Sequence, residues 1–135
     1  MFIAETQIRV RYAETDQMGV VYYGNYAQYF EVARAESIRH LGYTYKEMEE
    51  AGIIMPVVEL HCKYLRAANY DDLLTIKSTV KELPADHRIE FYQEVFNEKG
   101  KLLTVGRVVL YFMSAKDMSK ATMPEALRKK LEPFF

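Results

Sequence analysis

One stretch of helical periodicity limits what this chain can fold into. Tyr26, Phe30, Ala33, Ser37 and Leu41 fall at helical spacing on one side, and Tyr29, Val32, Ala35 and Ile38 widen the stripe. A helix over Asn25 to Leu41 with that pattern is largely enclosed rather than laid on a surface. Gly42 is placed to end it as a C′ residue. Most of the remaining chain reads as strand, so strands must supply the enclosure. The economical answer is an α+β layer arrangement, a five-stranded antiparallel sheet wrapped around one long central helix.

The strands follow from alternation and turn chemistry. Thr6 to Tyr12 alternates polar and apolar residues, which predicts a first strand with one buried face. Thr44-Tyr45-Lys46-Glu47 is a capping-box pattern for a short second helix that Gly52 would end. Pro56 to Arg66 predicts a long strand, followed by turn residues Asn69-Tyr70-Asp71-Asp72. Leu74, Ile76, Ser78 and Val80 face one way, while Thr75, Lys77, Thr79 and Lys81 face the other, giving a strand with a wet face. Ile89 to Phe96 and Leu102 to Met113 form a hairpin through Asn97-Glu98-Lys99-Gly100. Gly106 inside the last of these strands implies close approach by another backbone, or a bulge. Thr122-Met123-Pro124-Glu125 repeats the capping box ahead of a short helix ending at Leu131. With no repeat, linker or low-complexity segment, residues 1–135 read as a single domain.

Composition excludes several partner classes. The chain carries 18 basic and 19 acidic residues and a net charge of -1, with no basic run to grip nucleic acid or an anionic membrane. No apolar run approaches the ~20 residues of a membrane span. The N-terminal residues show no signal-peptide pattern, and a single cysteine, Cys62, fits a reducing cytoplasm. Tyrosine is used 11 times and tryptophan not at all, so amphipathic rings are available for pockets and interfaces.

The chemistry concentrates between Tyr12 and Tyr26. Asp16 is followed by the apolar run Gly19-Val20-Val21-Tyr22-Tyr23 and then by Gly24-Asn25, where Asn25 suits the N-cap of the helix. A helix start carries free N–H groups and the positive end of a dipole. A carboxylate a few residues before it can attack a carbonyl whose oxygen the helix end stabilises. The plainer role for Asp16 is a turn residue capping a backbone N–H, and Gly19 can simply supply positive φ. Rival chemistries lack their parts. His61 and Cys62 are neighbours in a strand and point to opposite faces. No His/Cys spacing resembles a zinc site. The glycines flanking Val20 to Tyr23 lack the Lys and Ser/Thr of a phosphate loop, and no nucleophile-elbow serine occurs.

The string Asp16-Gln17-Met18-Gly19-Val20-Val21-Tyr22-Tyr23-Gly24-Asn25-Tyr26 resembles the signature of hotdog-fold acyl-CoA thioesterases of the 4-hydroxybenzoyl-CoA thioesterase and Tol-Pal-associated type. Phe30-Glu31-Val32-Ala33-Arg34 and Tyr70-Asp71-Asp72-Leu73-Leu74 match two further pieces, while Ala67 departs where the family often has proline. The resemblance implies a hotdog fold that dimerises through its sheets and often doubles to a tetramer, with active sites at the subunit junction. It implies hydrolysis of an acyl-CoA thioester with no metal or cofactor. Asp16 is then nucleophile or general base, and the backbone N–H of Tyr23 the oxyanion donor. Gly19, His61, Lys63, Arg66 and Arg88 are the substrate-binding candidates, the three basic ones for coenzyme A phosphates and His61 for the acyl pocket. Tyr22, Tyr26 and Tyr29 line the acyl site or pack in the core. Glu31 is the back-up carboxylate, because other hotdog thioesterases carry theirs on the helix. The alternatives are a non-catalytic acyl-CoA binder or envelope-complex partner, and a hydratase or dehydratase. The last needs a His/Asp pair near the helix, and no histidine precedes His40.

Overall fold

In the computed structural model, which describes residues 1–135, the long helix α1 covers Tyr26–His40. Its buried positions are Tyr26, Tyr29, Phe30, Ala33, Arg34, Ser37 and Ile38, the spacing of an amphipathic stripe. The other side is open: Val32 is 46% exposed, and Gln28 and Glu31 are exposed too. The expectation of an enclosed helix is therefore corrected to a helix with one face on the sheet. Val32, expected in the widened stripe, faces outward, and Arg34 takes a buried position beside it. The C-terminal end forms as expected. Gly42 sits at φ +83, its N–H donates to Arg39 O at 2.9 Å, and Tyr43 N–H donates to Ile38 O at 3.4 Å. This Schellman closure brings buried Tyr43 against buried Ile38.

The seven strands are β1 (Phe2–Arg9), β2 (Ile53–Ile54), β3 (Val57–Tyr64), β4 (Leu73–Val80), β5 (Arg88–Phe96), β6 (Leu102–Tyr111) and β7 (Met113–Ser114). Five of them form one antiparallel sheet in the order β1-β4-β5-β6-β3, and β2 pairs with β7 apart from it. This is the five-stranded sheet with a long helix packed on it that the hotdog resemblance implies. Leu74, Ile76, Ser78 and Val80 lie together in the core as expected. Three boundaries differ from the sequence reading. The first strand ends at Arg9, because Tyr12–Glu14 turn into a short 3-10 segment. The strand expected over Pro56 to Arg66 is trimmed to Val57–Tyr64. The strand expected to reach Met113 divides at Phe112, whose ring is fully buried.

Of the two expected capping boxes one forms its N-cap half. Thr44 Oγ1 accepts from Glu47 N–H at 3.1 Å at the start of helix α2 (Tyr45–Glu50). Helix α3 (Glu125–Leu131) instead starts at Pro124, whose carbonyl accepts from Leu127 and Arg128, and Thr122 caps nothing. Gly106 does mark a close approach, but by a side chain. A Cβ there would lie 2.6 Å from the Phe30 ring, and the register is regular through that position. Bare backbone on β6 is thus what lets α1 settle onto the sheet.

Candidate active site

The loop between β1 and α1 is built on two carboxylates with different tasks. Glu14, 8% exposed, is the anchor. Its Oε1 accepts from Arg11 N–H and from the Tyr29 hydroxyl, both at 2.9 Å, and its Oε2 accepts from Arg11 Nε at 3.2 Å and Nη2 at 3.0 Å. Its carbonyl accepts from Tyr22 N–H at 3.0 Å and from Asn25 Nδ2 at 2.8 Å. One residue thereby ties the end of β1 to the first turns leading into α1. Burial pushes the Glu14 carboxyl up, but the hydrogen bonds from Arg11 and Tyr29 outweigh it and hold it below the ordinary carboxylate value.

These bonds overturn the N-cap reading of Asn25. Its backbone is helical (φ −75, ψ −16), and its side chain reaches back to Glu14 rather than over the helix end. The helical path begins earlier, with a 3-10 turn over Tyr23–Asn25 entered through extended Tyr22 (φ −62, ψ 131). The N–H groups of Tyr23 and Gly24 donate to no acceptor in the protein. They are the orphan donors that the start of any helical segment leaves.

Asp16 stands half-buried in a tight loop. Its N–H donates to Val20 O at 2.9 Å, its carbonyl accepts from Gly19 N–H at 3.0 Å, and Gly19 takes φ +79. Its Oδ1 accepts from Met18 N–H at 2.9 Å, the plain turn-capping role, while Oδ2 has no protein partner. Val21 N–H donates to Ala68 O at 2.8 Å and clips this loop to the segment after β3.

Asp16 opens onto a cavity of about 290 Å³ shared with Met18, Val20, Tyr23, Tyr26, Tyr64 and Arg66. Asp16 and Arg66 are its charged members, and eight of its ten lining residues are hydrophobic. The Tyr26 and Tyr64 rings lie 5.5 Å apart and tilted by 56°, with Tyr23 next to Tyr64 at 6.2 Å. Burial, with the neighbouring Cys62 and tyrosines, pushes the Tyr64 hydroxyl up to about 12, so it is a neutral donor at ordinary pH. Such a site offers a carboxylate oxygen, a lining residue with a free backbone donor, Tyr23, and an aromatic wall.

The chain distributes the other candidates elsewhere. His61 and Lys63 lie on β3 beside a shallow depression with Tyr92 and Arg107. Alternation along β3 turns them away from α1, since Cys62 and Gly106 share the helix side. His61 Nε2 is 3.7 Å from Glu59, and Arg88 is 3.9 Å from Glu59 and 4.0 Å from Glu90, in an ionic cluster on that outer face. Glu31 lines a different cavity, and Glu36 pairs with Arg39. Tyr29 is core and Tyr22 is 45% exposed, so of the three proposed tyrosines only Tyr26 reaches the Asp16 cavity. The sequence reading passed over Glu14 and Tyr64. The Arg11-x-x-Glu14 spacing, a cap on the single 3-10 turn Tyr12–Glu14, was the available signal for the first.

Comparisons agree with this architecture. The sequence model of the thioesterase-like superfamily matches residues 10–131. YneP of Bacillus subtilis, named provisionally as an acyl-CoA thioesterase, is 34% identical over 102 residues, 76% of this chain and 73% of that one. The acyl-CoA thioester hydrolase YbgC of Escherichia coli O157:H7 is 26% identical over 120 residues, 89% of each chain. The crystal structure of the DHNA-CoA thioesterase of Staphylococcus aureus superposes with a TM-score of 0.90 at 37% identity, covering 99% of this chain and 89% of that one. The strand order, the helix seated on it and the match over residues 10–131 lead to one assignment: this chain belongs to the thioesterase-like superfamily, as a hotdog-fold member of its acyl-CoA thioesterases.

Proposed function

We propose that this protein hydrolyses an acyl-CoA thioester to a carboxylic acid and free coenzyme A, with Asp16 as nucleophile or general base. The observation that carries this reading is the meeting, at one apolar cavity, of a half-buried carboxylate and a residue whose backbone N–H is unclaimed, Tyr23. A thiolate is a good leaving group, so the reaction needs chiefly an attacking oxygen and a donor for the developing oxyanion. Asp16 Oδ2 supplies the first, either by attacking the carbonyl itself or by taking a proton from water. The Tyr23 N–H, with Gly24 beside it, supplies the second. Oδ1 stays on Met18 N–H, which holds the carboxylate's orientation.

The flat rings of Tyr23, Tyr26 and Tyr64 suit an aryl acyl group better than a flexible chain, by stacking and edge contacts. Arg66 at the cavity rim is the basic residue best able to meet a coenzyme A phosphate. Lys63 and Arg88 act only if a second subunit brings substrate across the outer face. A second copy also suits the sheet edge. β3 has no partner on one side, and its Val57, Val58, Leu60 and Tyr64 are all more than 40% exposed. A dimer or larger homo-oligomer closing that edge is part of this reading, checked by light scattering of the purified protein.

The decisive experiment is thiol release from aromatic and aliphatic acyl-CoA esters by the wild type and by Asp16→Asn. We expect aryl substrates to be preferred and the variant to lose most of its turnover. Full activity in Asp16→Asn would remove Asp16 from the chemistry. Binding of substrate without thiol release in the wild type would favour an acyl-CoA binder.

A further inference from the structure

A second cavity lies behind the helix, between α1, α2 and the β2–β3 corner, and shares no residue with the Asp16 site. It holds about 270 Å³ and is lined by Arg34, Tyr45, Met48, Ile53, Met55 and Leu110. Arg34 is 4% exposed and makes no ion pair. Its Nη1 donates to Gln93 Oε1 at 3.1 Å, and its buried Nε has no acceptor. The Gln93 amide is held in that orientation by its Nε2, which donates to Phe30 O and Ser78 Oγ, both at 3.0 Å. The Tyr45 hydroxyl is buried against the same guanidinium, close enough to support its charge, and makes no well-formed hydrogen bond of its own. Burial pulls the guanidinium's pKa down, while Tyr45 and Glu31 push it back.

A buried cation with a vacant Nε donor beside a cavity lined largely by hydrophobic side chains is costly unless an acceptor arrives. The geometry points to a second ligand site, one that takes a small amphipathic carboxylic acid with its carboxylate on Arg34 and the Tyr45 hydroxyl and its hydrocarbon against Met48, Ile53, Met55 and Leu110. A guanidinium and a hydroxyl donor match the two oxygens of a carboxylate. The volume admits only a compact acid. Exposed Glu31 and Glu49 also line the cavity, and their charges disfavour a multiply charged polyphosphate such as coenzyme A more strongly than a monoanion seated on the buried guanidinium. The acid released by a thioesterase is of this class, so the identity of the natural ligand rests on the reading above, while the binding itself does not.

The test is titration of benzoate, followed by calorimetry and by the Arg34 Nε–H resonance in nuclear magnetic resonance. We expect saturable binding that shifts that resonance, equally in the wild type and in Asp16→Asn. Tyr45→Phe should weaken it roughly tenfold, as for one hydrogen bond to a charged group. Ile53→Trp, which fills the cavity from its half-exposed side, should abolish it. Benzamide, which has the shape without the charge, should bind at least about tenfold more weakly. Absence of saturable binding, unchanged binding in Tyr45→Phe and Ile53→Trp, or equal binding of benzamide would overturn the proposal. Loss of binding in Asp16→Asn would overturn it too, by moving the acid to the other cavity. None of these outcomes bears on whether Asp16→Asn releases thiol, so the two readings fail separately.

Discussion

Two buried polar clusters touch helix α1, and they are built on opposite principles. At its N-terminal end, the Glu14 carboxylate accepts four hydrogen bonds from Arg11 and Tyr29. Near its middle, the Arg34 guanidinium has a single protein acceptor and an orphaned Nε. A satisfied buried group behaves as a fastener, because any displacement costs desolvation that nothing refunds. An unsatisfied one gains by meeting a ligand. The first cluster therefore sets the Asp16 loop rigidly against the helix start, and the second leaves chemistry open to the outside.

The largest effect should come from what the fastened cluster holds in position. Tyr23→Pro removes the backbone N–H at a site where proline's φ suits a helical first turn and extended Tyr22 already has a pre-proline geometry. Its kcat should fall about 10²–10³-fold below that of the Tyr23→Ala control, as for loss of one oxyanion donor. Equal rates would mean that the free N–H has no part in the reaction. Next comes Glu14→Gln, which turns an amide NH₂ toward Arg11's donors. It should destabilise by about 1–3 kcal/mol in urea unfolding and lower kcat more than it changes KM. Restoration by Glu14→Asp would separate charge from shape.

Arg34→Met sharpens the contrast. It removes a buried charge and orphans only Gln93 Oε1, so a net change within about 1 kcal/mol is expected. A larger loss than in Glu14→Gln would reverse the comparison and make Arg34 the structural member. Tyr29→Phe should cost about 1 kcal/mol, one hydrogen bond to Glu14. The smallest effect is a pH slope. Because the folded Glu14 carboxyl titrates below its ordinary value, its contribution is present above the unfolded pKa. That contribution is lost as pH falls through the folded one. Acid unfolding of Glu14→Gln should therefore begin from lower stability and show a shallower dependence across that window.

Elements with a local cause were legible in the chain. The Gly42 closure, the Thr44 cap, the Asn97–Gly100 hairpin and the buried side of β4 each depend on residues within a few positions of one another. Asn25 and Thr122 share that local chemistry and still do not cap. Asn25 is taken by the Glu14 carbonyl, and Pro124 starts α3 on its own. Gly106 announced a close approach, yet only the packing of α1 names Phe30 as what approaches.

The same division holds for the sites. The amino-acid order determined one helix among antiparallel strands, a carboxylate just ahead of that helix and a family likeness carried by the Asp16–Tyr26 string. Tertiary structure alone decided that Asp16, Tyr23, Tyr64 and Arg66 share a cavity, that His61, Lys63 and Arg88 do not, and that Arg34 is buried without a counter-ion. Periodicity says which residues can share a face. Only packing decides which faces meet and whether the polar groups caught between them find partners.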